Sequence, residues 1–443
     1  MSTSSTRRLG PLASGSTVVI VGGGPGGSAC AIALKNLAKE EGRQIRVILY
    51  EGKIFESSTH YNQCAGVLSP PIVDILQEGL GVPFPWDLVQ REITGYVLHS
   101  DHADIALQKE EDPTCAVRRI NFDDFLLKQA KEKGVEVVHS RVTDIELNNN
   151  GLIVYSESSN SRADVIVGAF GMDDGMAKIF ERLTPYRQPL FMSSIVTKVE
   201  PGPESMARFG SWIHAFLPPI DKIEFGAATP KMNHITINIA GLEISAKSMD
   251  RFLRYPPVRK ILPPQFDPDG SEFLYFKGRF PLRVSRGFYG DRYVMVGDAA
   301  GLLRPFKGKG VNMSMVSAIR AAKTMVRTGI SREAFEAGYV RGECKEVLDD
   351  LPYGRALRWL AIRGSRWQLL DPVIEMAKEN ELLEEALFNC VSAHKAFKQI
   401  FRETMSARLV LRSLKTLGLY CARKIGRRQA AVATSGIQSQ SNQ

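Results

Sequence analysis

The chain has 443 residues in ordinary proportions for a folded protein, since 44% of them are hydrophobic and 24% are charged. This composition excludes a largely disordered chain, the length predicts two or three domains, and the formal net charge is +9. The six cysteines form no CxxC pair and the seven histidines no HExxH pattern, which argues against a disulfide framework and a metal site.

The first predicted unit is a strand–turn–helix–strand pattern near the start of the chain. Thr17–Val21 is apolar and β-branched, and glycines follow at once. Residues 28–39 are alanine-rich with helical character, and residues 45–50 form a second apolar run that ends at Glu51. This pattern predicts one βαβ unit with parallel strands.

The turn of this unit, GGGPGG at residues 22–27, contains a GxGxxG motif. In such a motif Gly22 permits the tight turn, Gly24 lets the backbone approach a pyrophosphate, and Gly27 allows close packing of helix on strand. The free N–H groups of the helix then face the phosphates. At the end of the second strand, the Glu51 carboxylate can accept a hydrogen bond from a ribose hydroxyl. We therefore predict that these four residues bind a nucleotide cofactor.

The middle of the chain alternates helices and strands before it becomes β-rich. Helical spacing at residues 122–133 is followed by a strand at 135–139, a hairpin at 145–156 and a buried strand at 163–169. Residues 190–280 show short strands and turns, and the prolines between residues 256 and 268 indicate a connection without regular structure. The later elements are a buried strand at 293–296, a helix at 311–328, helices throughout 331–428 and a disordered polar tail at 429–443.

A second turn of the nucleotide-binding type follows the strand at 293–296. The strand delivers Asp298 into the turn GDAAG at residues 297–301, where small side chains admit close approach by a ligand. A helix start follows, and its N–H groups can lie near a negatively polarised ring edge. The candidate cofactor contacts of this segment are Asp298, Pro305, Gly308, Gly310 and Asn312.

Two such turns, far apart in the chain, favour one extended cofactor that is contacted at both ends, which fits FAD better than NAD. The combination resembles the flavoprotein class built like p-hydroxybenzoate hydroxylase, and by this resemblance Asp298 contacts the ribityl chain. Residues 119–123 resemble the R-x-x-F-D segment of that class, whose arginine, here Arg119, lies near the flavin; a helix-capping charge is the alternative. At residues 170–171 the chain has Phe-Gly where the class usually has Asp-Gly, which argues against direct use of NAD(P)H.

Residues 61–71, YNQCAGVLSPP, resemble the C-G-G segment of the geranylgeranyl reductase family, with Ala65 in place of the middle glycine. The resemblance extends over about residues 17–420. Members of this family are flavoenzymes that saturate carbon–carbon double bonds of isoprenoid chains, and the class brings a loop towards the isoalloxazine at this point. The family's Y-x-W-x-F-P strand has a degenerate counterpart, WIHAFLP, at residues 212–218.

The resemblance implies that reduced flavin gives hydride to one alkene carbon while an acid or water protonates the other. Cys64 is the candidate catalytic residue at the ring, as proton donor or as packing, and a buried apolar cysteine is the alternative. Trp212 and His214 are weaker substrate candidates, and an ordinary strand histidine is the favoured interpretation of His214. Arg304 and Lys307 either hold a diphosphate or phospholipid head group or belong to a solvated basic loop.

The net charge is concentrated in residues 395–428, where ten basic side chains face one acid, Glu403. Apolar residues between Val410 and Cys421 fall on one helical face, which predicts a basic amphipathic helix on an anionic membrane surface. A helix packed on the body with a solvated basic edge is the alternative, and nucleic acid is not expected because no binding motif is present. The sequence shows neither a signal peptide nor a run of membrane-spanning length, so the predicted location is cytoplasmic, with peripheral membrane contact through this segment.

We therefore expect an α/β fold with a Rossmann-like FAD-binding domain, a β-rich substrate domain and a helical C-terminal part. The expected limits are 15–85, 110–175 and 281–330 for the first, 86–109 and 176–280 for the second, 331–428 for the third and 429–443 for a disordered tail. The favoured function is reduction of an isoprenoid chain, or another hydrophobic substrate, with NAD(P)H or a reduced carrier protein as electron donor. One alternative is an FAD-dependent monooxygenase or halogenase of a small aromatic compound, weakened by the lack of a clear W-x-W-x-I-P segment. The other is a non-catalytic protein that binds flavin and lipid.

Overall fold

The computed structural model describes residues 9–55, 64–108, 114–148, 151–263, 266–268, 273–303, 310–392 and 395–404. The strands of these residues are β1 Thr17–Val21, β2 Arg46–Tyr50, β3 Val67–Leu68, β4 Val89–Ile93, β5 Gly95–His99, β6 Asp104–Leu107, β7 Thr114–Val117, β8 Glu136–Val138, β9 Val142–Asn148, β10 Gly151–Ser156, β11 Asn160–Ala163, β12 Val165–Gly168, β13 Phe191–Val199, β14 Trp212–Phe216, β15 Ile223–Pro230, β16 Ile235–Gly241, β17 Phe276–Pro281, β18 Tyr289–Gly290 and β19 Tyr293–Met295. The helices are α1 Pro25–Glu40, α2 Ile72–Leu80, α3 Arg119–Glu132, α4 Asp174–Leu183, α5 Pro203–Phe209, α6 Ala246–Leu253, α7 Pro256–Ile261, α8 Gly297–Ala300, α9 Gly310–Arg327, α10 Arg332–Ala334, α11 Lys345–Arg366, α12 Leu370–Lys378, α13 Glu381–Ser392 and α14 Phe397–Thr404. A 3-10 turn at Trp86–Leu88 and a π-helical stretch at Phe335–Glu343 complete the helical elements of the described residues.

A six-stranded sheet carries both nucleotide-type turns. Its order is β18-β19-β12-β1-β2-β8, and all pairs are parallel except β18 with β19. Its central strands are almost wholly buried, as expected for parallel strands covered on both faces. Helix α1 packs against α9 and α3, and the predicted βαβ unit is confirmed. The helix begins at Pro25 rather than at residue 28, because a proline is well accommodated in the first turn.

A seven-stranded sheet forms the second layer, in the order β17-β13-β16-β15-β14-β5-β6. It is antiparallel except between β14 and β5. Large apolar side chains on one of its faces pack against helices α5 to α7, where Ile237, Phe252 and Val258 are fully buried. On the other face, helices α12 and α13 cover the end formed by β5, β6 and β14. The part of that second face that α12 and α13 do not cover is relevant to the candidate site.

The connection rich in proline is partly helical, so the prediction of no regular structure between residues 256 and 268 is wrong at its start. Pro256 and Pro257 open helix α7. They fit there because the first turn of a helix needs no N–H donors and favours the fixed φ of proline. The predicted strand at 163–169 is likewise divided between β11 and β12.

The helical C-terminal part is fastened to the seven-stranded sheet by polar contacts. Arg358 on α11 donates from Nε and Nη2 to the Glu224 carboxylate, at 2.8 and 2.6 Å. Lys395 pairs with Glu385 at 2.9 Å, and Phe397 is fully buried, so the described start of the basic segment packs on the body. The amphipathic helix predicted for residues 410–421 lies outside the described residues. None of the described helices combines the length and apolar character needed to span a bilayer.

The α/β fold class with a helical C-terminal part is confirmed. The domain limits proposed from the sequence stay a prediction.

Candidate active site

A cleft of about 1050 Å³ runs along the carboxyl edge of the parallel sheet. Cofactors of α/β proteins bind at this edge because the loops that follow the strands meet there. The residues that line it after the five parallel strands are Gly22, Gly24, Pro25 and Gly26 after β1, Glu51, Gly52 and Lys53 after β2, Ser140 and Arg141 after β8, 169–175 after β12, and Gly297 and Asp298 after β19. The two nucleotide-type turns predicted from distant parts of the sequence therefore open into one cleft.

The glycine turn has the shape that a pyrophosphate requires. A Cβ added at Gly27 would lie 1.7 Å from the Gly22 carbonyl oxygen, so helix and turn approach each other more closely than any side chain allows. A Cβ at Gly24 would meet nothing within 4 Å, which leaves the backbone of this residue open to the cleft. Gly24 is also the N-cap of α1 and supplies no side-chain cap. The first N–H groups of the helix are thus available to an anion.

Glu51 is buried and held firmly beside this turn. Its Oε2 accepts a hydrogen bond from the Gly23 N–H at 2.8 Å, and its Oε1 accepts from the Lys53 N–H at 2.8 Å. Each carboxylate oxygen has a further lone pair, so the two bonds orient the group and it can still accept another hydrogen bond. Its role towards a ribose stays a prediction that fits this geometry.

At the other end of the cleft, Arg119 lies between two carboxylates. Its Nε donates to Asp123 Oδ1 at 2.7 Å, and Asp123 is fully buried. Burial raises the pKa of Asp298 to about 6, and the positive charge of Arg119 acts in the opposite direction. Asp298 therefore changes its charge close to neutral pH, at the point where the resemblance places the ribityl chain.

The loop after β12 explains the departure at Phe170-Gly171. The Phe170 ring packs against Phe180 and Tyr186. The two aspartates that follow have structural partners: Asp173 Oδ1 accepts from the Met176 N–H at 2.8 Å and caps α4, and Asp174 forms a two-bond ion pair with Arg279, both at 3.0 Å. Neither aspartate replaces the one that the class usually carries.

A basic group that the sequence did not predict lies beside the Cys64 loop. Cys64 is exposed rather than buried, and it is close enough to Arg119 and Lys231 to affect the pKa of both. Lys231 is buried, and its Nζ donates to the Val117 carbonyl at 2.7 Å. The N–H of the same Val117 donates to the Gly66 carbonyl at 2.8 Å, so the Cys64–Gly66 loop is hydrogen-bonded to the end of β7.

The weaker substrate candidates, Trp212 and His214, are not in the cleft. His214 pairs in register with Ala228, and Ala228 with Ile237, which places it on the sheet face packed against α5 to α7. Its Nδ1 lies 2.8 Å from His99 Nε2, and burial lowers the pKa of His214 to about 3 and that of His99 to about 4. Both rings are therefore neutral at physiological pH. Trp212 and His214 line a separate cavity of about 500 Å³.

Of the remaining predicted contacts, two are described. Gly310 begins α9, and a Cβ added there would lie 3.8 Å from Asp298 Oδ1. Asn312 Nδ2 donates to the Ser69 carbonyl at 2.8 Å, which ties α9 to the segment that follows Cys64. Arg304, Pro305, Lys307 and Gly308 lie outside the described residues.

Sequence reasoning missed Arg141, Arg279 and Lys231. Arg141 follows β8 at the carboxyl edge, so a search of every loop after a parallel strand would have found it. Arg279 and Lys231 come from the second sheet, and no local signal marks either of them.

No family model matches the chain. It is 22% identical to a geranylgeranyl diphosphate reductase of Synechocystis over 341 residues, which are 70% of this chain and 75% of the relative. It is 24% identical to a tryptophan 2-halogenase of Chondromyces crocatus over 408 residues, which are 81% of this chain and 69% of the relative.

The solved structures that superpose on the chain likewise include a reductase-like protein, a brominase and a monooxygenase. A geranylgeranyl bacteriochlorophyll reductase-like protein of Thermoplasma acidophilum superposes with a TM-score of 0.62 at 18% identity, covering 91% of this chain and 99% of its own. A flavin-dependent brominase gives a TM-score of 0.64 at 18% identity, covering 87% and 97%. A p-nitrophenol 4-monooxygenase of Pseudomonas putida gives 0.62 at 16% identity, covering 92% and 99%.

These similarities support FAD as the cofactor, as the resemblance predicted. The chain has the fold of the class that contains geranylgeranyl reductases, flavin-dependent halogenases and aromatic monooxygenases. The names of these relatives state different reactions: a reduction, a halogenation and a monooxygenation.

Proposed function

We propose that the protein is an FAD-dependent reductase that saturates carbon–carbon double bonds of an isoprenoid chain. The Cys64 loop carries the proposal, because it combines the segment that resembles the geranylgeranyl reductase family with a position next to Arg119 of the cleft. The likeness to a named geranylgeranyl diphosphate reductase over 70% of this chain supports it.

The residues of the cleft fit FAD. Gly24 and the start of α1 would hold the pyrophosphate, Glu51 the adenosine ribose, and Asp298 with Arg119 the ribityl chain and the ring end. When bound, FAD supplies the hydride for reduction. Gly310 and Asn312, at the start of α9, would complete the ring end of the cleft.

The protein's own groups would bring the alkene to this end and supply the proton. Cys64 is exposed beside Arg119, so its thiol is available as the proton donor. Ala227 on β15 pairs in register with Asn238 on β16, and Phe225 pairs with Ala240, on the sheet face opposite α5 to α7. Phe225 also contacts Phe280 with ring centroids 6.4 Å apart. Small and aromatic side chains of this kind suit an apolar chain. We therefore assign this face to the isoprenoid.

The second candidate is an FAD-dependent halogenase or monooxygenase of a small aromatic compound. The likeness to a tryptophan 2-halogenase over 81% of this chain favours it. The third candidate, a flavin and lipid carrier without turnover, draws on the Phe170-Gly171 departure, because that pair weakens the case for a nicotinamide donor. A reduced carrier protein as donor is compatible with the same departure.

An anaerobic reoxidation experiment tests these proposals. The purified holoprotein is reduced with dithionite under nitrogen, and geranylgeranyl diphosphate or a geranylgeranyl lipid is then added. Return of the oxidised flavin bands, with a product heavier by two hydrogens per bond, is the expected result. Flavin that stays reduced until air is admitted, and then turns over an aromatic compound with or without bromide, would favour the second candidate. Flavin that reacts with no substrate would favour the carrier.

A further inference from the structure

We propose that Arg118, Lys198, Lys231 and His234, here called the Lys231 site, bind an oxyanion of the substrate, a phosphate or a carboxylate, beside Cys64. This inference goes beyond the proposed reaction, because it concerns which group is recognised rather than what is done to it.

The Lys231 site is assembled from a helix start and two parts of the seven-stranded sheet. Arg118 is the N-cap of α3, Lys198 lies on β13, and Lys231 and His234 lie on the turn between β15 and β16. Arg91 fixes that turn, because its Nη2 donates to the Lys231 carbonyl at 3.1 Å. The site therefore spans the junction between the cofactor-binding part and the seven-stranded sheet.

The Lys231 ammonium has no carboxylate acting on it among the described residues. The groups that act on Lys231 are Cys64, Lys198 and Arg118. Burial, with a smaller contribution from the cations Lys198 and Arg118, lowers the pKa of Lys231 to about 8, while Cys64 acts in the opposite direction. Burial and the same cations lower the pKa of His234 to about 4. On Lys198, Glu200 partly offsets the effect of burial and Arg118.

Two polar groups here have capacity for further hydrogen bonds, the Lys231 ammonium and the Thr236 hydroxyl. The ammonium of Lys231 has three donors, and one of them is directed to the neutral Val117 carbonyl. Lys198 pairs in register with Thr236, so the two side chains share the sheet face opposite α5 to α7. Thr236 is 1% exposed, and in the described part of the chain its Oγ1 has no hydrogen-bond partner. A buried hydroxyl without a partner is destabilising, and a ligand that accepts its hydrogen bond can offset this cost.

An oxyanion meets both requirements at once. It accepts hydrogen bonds from ammonium, guanidinium and hydroxyl groups and supplies the missing negative charge. The phosphate of a prenyl diphosphate and the carboxylate of an aromatic acid share this chemistry. Bound here, either would place the adjoining carbon atoms next to Cys64.

Binding is measured on the oxidised holoprotein without turnover, so the result does not depend on the proposed reaction. Inorganic diphosphate and benzoate are titrated separately by calorimetry at pH 7 and constant ionic strength. The variants are Lys231→Met and Thr236→Val, with exposed Lys277→Met on β17 as the matched control. We expect saturable binding of at least one anion, weakened about tenfold or more in Lys231→Met, less in Thr236→Val, and unchanged in Lys277→Met.

The pattern of affinities identifies the source of the oxyanion. Tighter binding of diphosphate supports a prenyl head group, and tighter binding of benzoate supports an aromatic acid. Equal binding by wild type and both site variants, or no saturation by either anion at millimolar concentration, would overturn the proposal. If Lys231→Met does not fold, the comparison of Thr236→Val with wild type decides it alone.

Discussion

The cofactor cleft and the Lys231 site lie next to each other but are built in opposite ways. The cleft is made of short segments that each follow one parallel strand, and its glycine turn is contained in residues 22–27. The Lys231 site joins Arg118, Lys198 and residues 231–234 through strand pairing and a turn. The cleft is determined by the local backbone conformation of these segments, whereas the Lys231 site depends on the register of strand pairing. This difference teaches that one can be altered without the other, and each prediction below tests that independence.

The largest effect is expected in the cleft, from Gly27→Ala. Its Cβ would lie 1.7 Å from the Gly22 carbonyl oxygen, so the turn or the helix must move. We expect a loss of about 3 kcal/mol or more in the free energy of unfolding and loss of bound FAD. Thermal unfolding and the FAD-to-protein ratio measure the two effects.

Gly24→Ala is the matched control for this change. Its Cβ would meet nothing within 4 Å, so the fold should keep its stability within about 0.5 kcal/mol. FAD should nevertheless bind about tenfold more weakly, because the methyl group occupies the approach of the pyrophosphate. Equal destabilisation by both substitutions would show that the turn has a purely structural role.

In the Lys231 site we expect a substitution to raise the free energy of unfolding rather than to lower it. Lys231 is buried, and its pKa falls from 10.5 to about 8 in the folded protein. Lys231→Met should therefore raise the free energy of unfolding by about 2 kcal/mol at pH 7, even after loss of the bond to Val117. Urea unfolding at pH 7 measures it, and FAD content should not change.

The pH dependence provides the control. Between pH 8 and pH 10.5 the unfolded chain holds the Lys231 proton and the folded chain does not, so wild-type stability rises with pH across this window. Lys231→Met lacks that rise, and the advantage of the variant should disappear by about pH 10. A constant difference between the two proteins from pH 7 to pH 10 would contradict a buried, charged Lys231.

A smaller effect is expected from Glu51→Gln. Glutamine has one oxygen that accepts and an amide nitrogen that only donates, so it can bond to the N–H of Gly23 or that of Lys53 but not to both, and the negative charge beside the expected ribose is lost. We expect FAD to bind about fivefold more weakly, close to 1 kcal/mol, and the free energy of unfolding to fall by about 1 kcal/mol. Quenching of FAD fluorescence on titration measures the affinity, and Glu136→Gln on the neighbouring strand serves as control. Equal affinities in the three proteins would remove Glu51 from the cofactor site.

The sequence predicted most of the fold and the carboxyl-edge turns, because these depend on neighbours within a few residues. Glycine spacing and buried β-branched runs act locally, so residues 17–51 were recognisable as a βαβ unit. The pairing of Lys198 with Thr236 and of Asp174 with Arg279 depends on register and loop path. The periodicity of a single sequence carries no information about strand register or loop path. The local sequence around Lys231 does not distinguish it from other lysines in turns.

The smallest effect is expected at His214, where motif likeness and sheet geometry disagree. The degenerate W-x-H-x-F pattern suggested a substrate contact, but the period of two places His214 on the face packed against α5 to α7. His214→Phe should fill the same space between Phe209 and His99 but leaves His99 Nε2 without its partner, so we expect the free energy of unfolding to fall by about 1 kcal/mol. The flavin spectrum, FAD affinity and anion affinity should equal those of wild type. A change of threefold or more in the rate of flavin reoxidation by substrate would show that this second face also contacts the substrate, and that cleft and sheet are less independent than their construction implies.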